Sequence, residues 1–205
     1  MNSYHIVKSE RLSHFQNTLQ WLSKIHAAEN FAKERHSGMT GKDGIMPHYE
    51  HLAAVTDRLK NLGISDEDVI SASWLHDIID YTETSFDEID QRFGSKVAVL
   101  VLSVSRDKSL PRAKQEEQYV KQLKSASFEG KLIKLCDISA SLRDLKKSTF
   151  SKTKKTKEVK KMTFYMNIIK SDLIKNKYQF PSIVSMINGI NDMISVYGQR
   201  PIILQ

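Results

Sequence analysis

The sequence contains a single cysteine, Cys136, so it cannot form an internal disulfide bond. A chain without disulfides is typical of a reducing compartment, and we expect a cytoplasmic protein. The longest apolar run, VAVLVL at residues 97–102, is too short to cross a bilayer. Residues 1–15 lack the apolar centre and the small-residue cleavage site of a signal peptide. These absences argue against a secreted scaffold and against a membrane partner.

Glycine and proline are also scarce, with 8 and 4 residues among 205, and no segment alternates apolar and polar residues clearly enough to predict a strand. Apolar residues instead recur at helical spacing, so we predict an all-α fold. The clearest stripes are Phe15, Leu19, Leu22, Ile25 and Phe31; Leu52, Val55, Leu59 and Leu62; Leu135, Ile138, Leu142 and Leu145; and Ile183, Met186, Ile190 and Met193.

Glycine, proline and capping residues mark the boundaries between the predicted helices. Gly63 follows the second stripe, Gly94 separates two short helices, and Pro111 precedes a helix rich in glutamine and glutamate. Ser65 is the expected N-cap of a continuous helix over DEDVISASWLHDII, which begins with acidic residues.

The formal net charge is +7, and the excess comes from one segment. Residues 146–161, the basic segment, hold eight lysines and one glutamate, and the remaining 23 basic and 23 acidic residues balance. Two interpretations stay open. The basic segment is either a solvated helix or loop, or a patch that attracts nucleic acid, a membrane surface or a phosphorylated small molecule.

Polar residues interrupt an apolar run in the stretch SASWLHDIIDYTETS, residues 71–85. His76, Asp77 and Asp80 lie there at spacings of three and four, which share one face of a helix. A buried carboxylate must be paired, hydrogen-bonded or bound to a cation. Asp137 raises the same question inside LIKLCDISASL, and His51 does so directly before the second apolar stripe.

One divalent metal ion could gather His51, His76, Asp77 and Asp137. Carboxylate and water ligands favour Mn or Mg, whereas imidazole ligands favour Fe, Zn or Ni. Such a site can generate a hydroxide nucleophile and bind a phosphate oxygen. An adjacent His-Asp pair can equally be a hydrogen-bonded polar pair, so both interpretations stay open on these residues alone.

Three blocks of the chain, in order, resemble the HD-domain hydrolases of the RelA/SpoT type, which include small alarmone hydrolases and metazoan SpoT homologues. The blocks are FAKERHSGMTGKDGIMPHYEHL, SASWLHDIIDYTETSFDEIDQRFGSKVAVLVLSVSRD and LIKLCDISASLRDL. The resemblance places His51, His76, Asp77 and Asp137 on the family's metal ligands. It implies an all-α HD-domain bundle of about 8–10 helices, a Mn²⁺ cofactor, and removal of the 3′-pyrophosphate from (p)ppGpp. The metazoan members add NADPH phosphatase activity.

The resemblance also predicts a domain organisation. We expect a single HD-type domain over residues 1–205, with a core at 27–146, then the basic segment, then C-terminal helices at 162–197. The oligomeric state stays open.

Two positions after the His-Asp pair differ from the Glu-Asp of the family. Asp80 replaces a glutamate that helps to activate the attacking water, and it keeps the carboxylate on a shorter side chain. Tyr81 replaces an acid, so it can donate a proton but supplies no negative charge at neutral pH, and its ring could stack on a base. We expect Asp80 to be catalytic and Tyr81 to contact the substrate.

Three further residues are expected to contact the nucleotide or its phosphates. Lys42 lies in the loop where the family carries Arg-Lys-Ser, and lysine cannot reproduce the bidentate contacts of arginine. Ser141 replaces a family asparagine, and Arg143 matches a family arginine. His48 is expected to belong to the loop structure alone.

Three functions therefore stay open. The first is a Mn-dependent 3′-pyrophosphohydrolase of (p)ppGpp or a related alarmone. The second is a hydrolase of the NADPH 2′-phosphate or of an adenosine alarmone. The third is a non-catalytic HD protein that binds a nucleotide or nucleic acid through the basic segment. A small nucleotide is the favoured partner, and nucleic acid is less favoured.

Overall fold

The computed structural model describes residues 24–41 and 44–203, and over these ranges the secondary structure is helical, with an isolated bridge between Thr40 and Pro47 and no strand. The predicted all-α fold is confirmed. The helices are α1 (24–35 in the described part), α2 (Tyr49–Asn61), α3 (Glu67–Leu75), α4 (Ile78–Tyr81), α5 (Phe86–Phe93), α6 (Ser95–Val104), α7 (Arg112–Ser125), α8 (Phe128–Lys147), α9 (Lys152–Lys175) and α10 (Ser182–Ser195). Within those ranges, none has the length and apolar content that crossing a bilayer requires.

The predicted apolar stripes form the core. Leu52, Val55, Leu59 and Leu62 are all buried, and Gly63 follows them with a φ of +91°, a conformation that glycine adopts without strain. The stripe of α8 is buried in the same way. On α10 four isoleucines are buried, whereas the predicted Met186 and Met193 are only partly buried. Ile187 and Ile194, each one residue further along, take their places in the buried stripe. The four isoleucines are Ile183, Ile187, Ile190 and Ile194. Phe15, Leu19 and Leu22 lie outside the described residues.

The start of α3 corrects one prediction. Asp66, and not Ser65, is the N-cap, because its carboxylate accepts hydrogen bonds from the backbone N–H groups of Asp68 (2.9 Å) and Val69 (3.1 Å). A carboxylate also interacts more favourably than a hydroxyl with the positive end of the helix dipole.

The end of α3 corrects a second prediction. The helix predicted to continue through the His-Asp pair ends at Leu75, and His76 and Asp77 form a turn before the short helix α4. Both residues keep right-handed helical backbone angles, with φ and ψ of −58° and −27° at His76 and −99° and −4° at Asp77. The turn therefore departs only slightly from helical geometry.

Helix α8 lies at the centre of the bundle. It packs against α2, α3, α6, α9 and α10, and its apolar residues are almost all buried. Helix α9 contains most of the basic segment and continues without a break into residues 162–175, packing against both α8 and α7. This arrangement puts the polar residues of α8 against the start of α2 on one side and against α9 on the other.

Candidate metal centre and active site

Three side chains from two places in the chain converge on one site. His51 lies near the start of α2, and His76 and Asp77 form the turn between α3 and α4. One ligand atom from each lies within 4.8 Å of those of the other two. Two imidazoles and one carboxylate at this spacing are a donor set that suits a divalent transition metal.

His76 has the hydrogen bonding of a metal ligand. Its Nδ1 lies 2.8 Å from the carbonyl oxygen of Ser73, to which it donates, so in the neutral imidazole Nε2 is the nitrogen that carries the lone pair. Nε2 is buried and has no hydrogen-bond partner among the residues that the structure describes. An unsatisfied buried nitrogen is costly in a folded protein, and a metal ion would satisfy it.

His51 is oriented by a carboxylate behind it. Its Nδ1 donates to Oδ2 of Asp144 at 2.9 Å, which directs Nε2 toward Oδ1 of Asp137 at 3.3 Å and Oδ2 of Asp77 at 3.9 Å. Burial alone would lower the pKa of His51, but its hydrogen bonds with Asp137 and Asp144 raise it to about 9. A carboxylate on the far nitrogen is the usual partner of a metal-binding histidine.

Asp137 lies beside this group of three and has its own partners. Its Oδ2 accepts from Nζ of Lys134 at 2.7 Å, and its Oδ1 accepts from Oγ of Ser141 at 3.1 Å. Burial opposes the ionised form of Asp137, yet the Lys134 ammonium and the His51 hydrogen bond hold its pKa well below the usual range. Asp137 is therefore an ionised carboxylate 3.3 Å from His51, although it falls outside the group of three.

Asp77 is ionised for similar reasons. Burial would raise its pKa, but the neighbouring His76, a hydrogen bond from His48 and the charge of His51 lower it. The His48 contact joins Nε2 to Oδ2 of Asp77 at 3.1 Å. His48 was expected to be loop structure alone, and it instead contacts a predicted metal ligand.

Asp80 and Tyr81 both line the cavity next to the metal site, but they differ in exposure. The Asp80 side chain is 12% exposed and accepts hydrogen bonds from Arg106. Tyr81 is 54% exposed, and its ring centroid lies 5.2 Å from that of His48. The charges of Asp77, Asp137 and Asp80, together with burial, raise the pKa of the Tyr81 hydroxyl, so this group is neutral at physiological pH.

The other three predicted substrate residues are placed differently from one another. Ser141 is buried, lines the cavity and donates to Asp137. Arg143 is not among the cavity-lining residues; its side chain is 47% exposed, and its Nε lies 3.5 Å from Oδ1 of Asp144. Lys42 lies outside the described residues.

A polar stripe on α8 could have been found from the sequence. Lys134, Asp137, Ser141 and Asp144 follow one another at spacings of three, four and three, so they lie on one face of an otherwise apolar helix. All four line the cavity. Of these four, only Asp137 and Ser141 were singled out from the sequence.

The cavity has a volume of about 700 Å³, which lies within the range of small-molecule sites. Its walls come from residues 38–41, from the start of α2, from the His-Asp turn, and from α8 and α9. Glu158 and Lys161 of the basic segment line it, together with Met162 and Tyr165 one turn further along α9. The basic segment is therefore partly a wall of the site, which the sequence did not indicate.

A family model described as an HD domain matches residues 28–166, more than half of the chain. The chain belongs to the HD-domain family, and the predicted membership is confirmed.

Two curated relatives show where in the family the chain falls. It is 41% identical over 122 residues to the guanosine-3′,5′-bis(diphosphate) 3′-pyrophosphohydrolase MESH1 of Danio rerio, covering 58% of this chain and 68% of that protein. It is 36% identical to the MESH1 of Homo sapiens, covering 62% and 72%. The solved structure of a metazoan ortholog of SpoT that hydrolyzes ppGpp matches with a TM-score of 0.69 and 25% identity, over 82% of this chain and 94% of that one.

Proposed function

We propose that this protein is a Mn²⁺-dependent phosphohydrolase that removes the 3′-pyrophosphate of (p)ppGpp or of a closely related alarmone. The observation that carries the proposal is the group formed by His51, His76 and Asp77 in the wall of a nucleotide-sized cavity. Relatives named as 3′-pyrophosphohydrolases support the same reaction. The cytoplasmic location expected from the single cysteine stays a prediction.

His51, His76 and Asp77 would hold the metal ion, and Asp137 would complete the set from the side of α8. A divalent ion at this place would supply Lewis acidity toward a phosphate oxygen and lower the pKa of a water molecule. Mixed imidazole and carboxylate donors are compatible with Mn²⁺. Nε2 of His76 is buried, has no hydrogen-bond partner among the described residues and lies 3.5 Å from Oδ1 of Asp77, an arrangement that a metal ion between the two would satisfy.

Other residues would act on the substrate and the water. Asp80 would orient the attacking water as a hydrogen-bond acceptor, since its carboxylate lines the same cavity. Ser141 and Lys161 would contact the nucleotide or its phosphates from α8 and α9. Lys42 and Arg143 stay predicted substrate contacts.

A second substrate class is favoured by Tyr81. It places a neutral, exposed ring at a position where the family has an acid, and a ring can stack on a purine of either kind. Hydrolysis of the NADPH 2′-phosphate or of an adenosine alarmone is therefore the alternative that any assay must include.

The deciding experiment is an end-point assay on metal-stripped protein to which Mn²⁺ is restored. The substrates are ppGpp, pppGpp, ppApp and NADPH, and the products are separated by ion-exchange chromatography. We expect pyrophosphate release from the 3′ position, its loss in Asp77→Ala, and its retention in Asp57→Ala, which removes an exposed acid of α2. Tight nucleotide binding without turnover would instead support the non-catalytic HD protein.

A further inference from the structure

Both oxygens of the Asp80 carboxylate are held by one residue. The backbone N–H of Arg106 donates to Oδ1 at 2.7 Å, and its guanidinium Nη1 donates to Oδ2 at 3.1 Å. A side chain held at both oxygens has little freedom to rotate. The remaining lone pairs of Asp80 are thereby fixed in a wall of the cavity, which both residues line.

Arg106 is itself held by two buried tyrosines from separate helices. Its guanidinium carbon lies 4.4 Å from the ring centroid of Tyr119 on α7, and its Nη2 donates to the hydroxyl of Tyr165 on α9 at 3.2 Å. Tyr165 in turn donates to Oε1 of Glu116 at 2.6 Å. A contact chain of hydrogen bonds and ring stacking therefore runs from α7 and α9 through Arg106 to Asp80.

The charge of Arg106 also acts on Asp80. Burial raises the pKa of the Asp80 carboxyl above its ordinary value, and the backbone hydrogen bond and the charge of Arg106 limit that rise. The guanidinium stays protonated, because arginine does not lose its proton in proteins. Without this partner, a partly buried carboxylate near the charge of Asp77 would have less to stabilise its ionised form.

We propose that Arg106 is a positioning residue for the hydrolytic step, which fixes the Asp80 carboxylate toward the attacking water and makes that geometry depend on Tyr165 of α9. This inference rests on the proposed function, because it assumes that Asp80 acts on water. It gives α9 a part in the chemical step besides forming a wall of the cavity. The arginine also offers a way for the shorter aspartate to serve where the family uses glutamate.

A direct contact between Arg106 and a substrate phosphate is the rival explanation, since Arg106 lines the cavity. The two explanations differ in kinetics. Loss of a binding contact raises KM, whereas loss of a positioned water lowers kcat while KM changes little.

The test is a double-mutant cycle between Arg106→Ala and Asp80→Ala, measured on ppGpp with saturating Mn²⁺. We expect Arg106→Ala to lower kcat by at least about tenfold, since small misplacements of catalytic groups have effects of this size, with KM within about threefold. Adding Arg106→Ala to Asp80→Ala should lower kcat no further. Both substitutions at this position keep the backbone N–H donor to Asp80, so the change tests the side chain alone, and Arg106→Lys, which retains a cation, should recover part of kcat.

Two controls test whether the loss of kcat is specific to Arg106 and independent of metal binding. Arg112→Ala removes an exposed arginine at the start of α7 and should leave kcat unchanged. Mn²⁺ affinity, measured by calorimetry, should be the same in Arg106→Ala as in the unaltered protein. If Arg106→Ala fails to fold, Tyr165→Phe carries the test, because it keeps the ring and removes the hydroxyl; its smaller loss of kcat should also vanish on the Asp80→Ala background.

A rise in KM at constant kcat, or additive losses in the cycle, would overturn the positioning role while leaving the proposed function intact. Absence of ppGpp turnover in the unaltered protein would overturn the proposed function, and the role of Arg106 with it.

Discussion

Asp144 shows at the scale of a single residue how the site extends beyond its metal ligands. It accepts the Nδ1 proton of His51 and does not belong to the group of three. We predict that Asp144→Ala weakens Mn²⁺ binding by about 10- to 100-fold, because the imidazole loses the partner that fixes its orientation and basicity. Calorimetric titration of metal-free protein measures this, with Asp57→Ala as the matched control. Equal affinity in the two variants would mean that His51 needs no such partner.

Tyr81 gives a second prediction at this scale. If a nucleobase stacks on its exposed ring, Tyr81→Ala should raise KM for the nucleotide about tenfold, which corresponds to the usual contribution of one stacking contact. Tyr81→Phe should leave KM nearly unchanged, because the ring remains. Steady-state kinetics on the substrate that the protein hydrolyses decides this. Equal losses in both variants would assign the effect to the hydroxyl.

Single residues also mark where prediction from sequence stops. The four predicted metal ligands were found because polar residues stood out in apolar runs. His48 and Asp144 did not stand out, since a loop histidine and an acid beside an arginine are ordinary surface residues. Their contacts with Asp77 and His51 depend on tertiary structure, which spacing along the chain does not express.

At the scale of helices, the periodic stripes predicted most of the elements, because burial of one face determines which residues are apolar. Gly63, Gly94 and Pro111 marked boundaries correctly for stereochemical reasons. The break at His76 was not predictable in this way. Its backbone angles stay close to helical, so the residues on either side keep a helical pattern.

The N-cap of α3 allows a prediction at the scale of helices. Asp66→Ala should lower the free energy of unfolding by about 1 kcal/mol, the usual cost of losing an N-cap. Ser65→Ala should have little effect, since the carboxylate of Asp66 makes both capping hydrogen bonds. Urea denaturation followed by circular dichroism compares the two. A larger loss of stability in Ser65→Ala than in Asp66→Ala would show that Ser65 is the N-cap, as the sequence predicted.

At the scale of the whole molecule, the fold followed from the apolar pattern and the resemblance, whereas the role of α9 did not. A run of lysines carries no information about which helix it packs against. Only the structure shows that α9 packs on α7 and α8 and that Glu158 and Lys161 line the cavity. The proposed single domain over residues 1–205 stays a prediction.

The location of the charge leads to a prediction for the whole molecule. A basic segment beside the cavity should attract a polyanionic substrate, so kcat/KM should fall as ionic strength rises. Replacing the exposed Lys152, Lys157 and Lys160 by glutamine should weaken this dependence. The same change at Lys114, Lys121 and Lys124 of α7 is the matched control, because it removes equal charge elsewhere. An unchanged salt dependence of kcat/KM in the first triple variant would show that these lysines do not steer the substrate toward the cavity.

The most direct test of the metal centre is a titration of Mn²⁺ into metal-free protein, with bound metal and ppGpp hydrolysis followed in the same samples. We predict that hydrolysis rises in proportion to bound metal and levels off at one ion per chain. We also predict that His76→Ala, which removes the buried Nε2, loses both together. Full hydrolysis without bound metal, or tight binding of Mn²⁺ by His76→Ala, would contradict it.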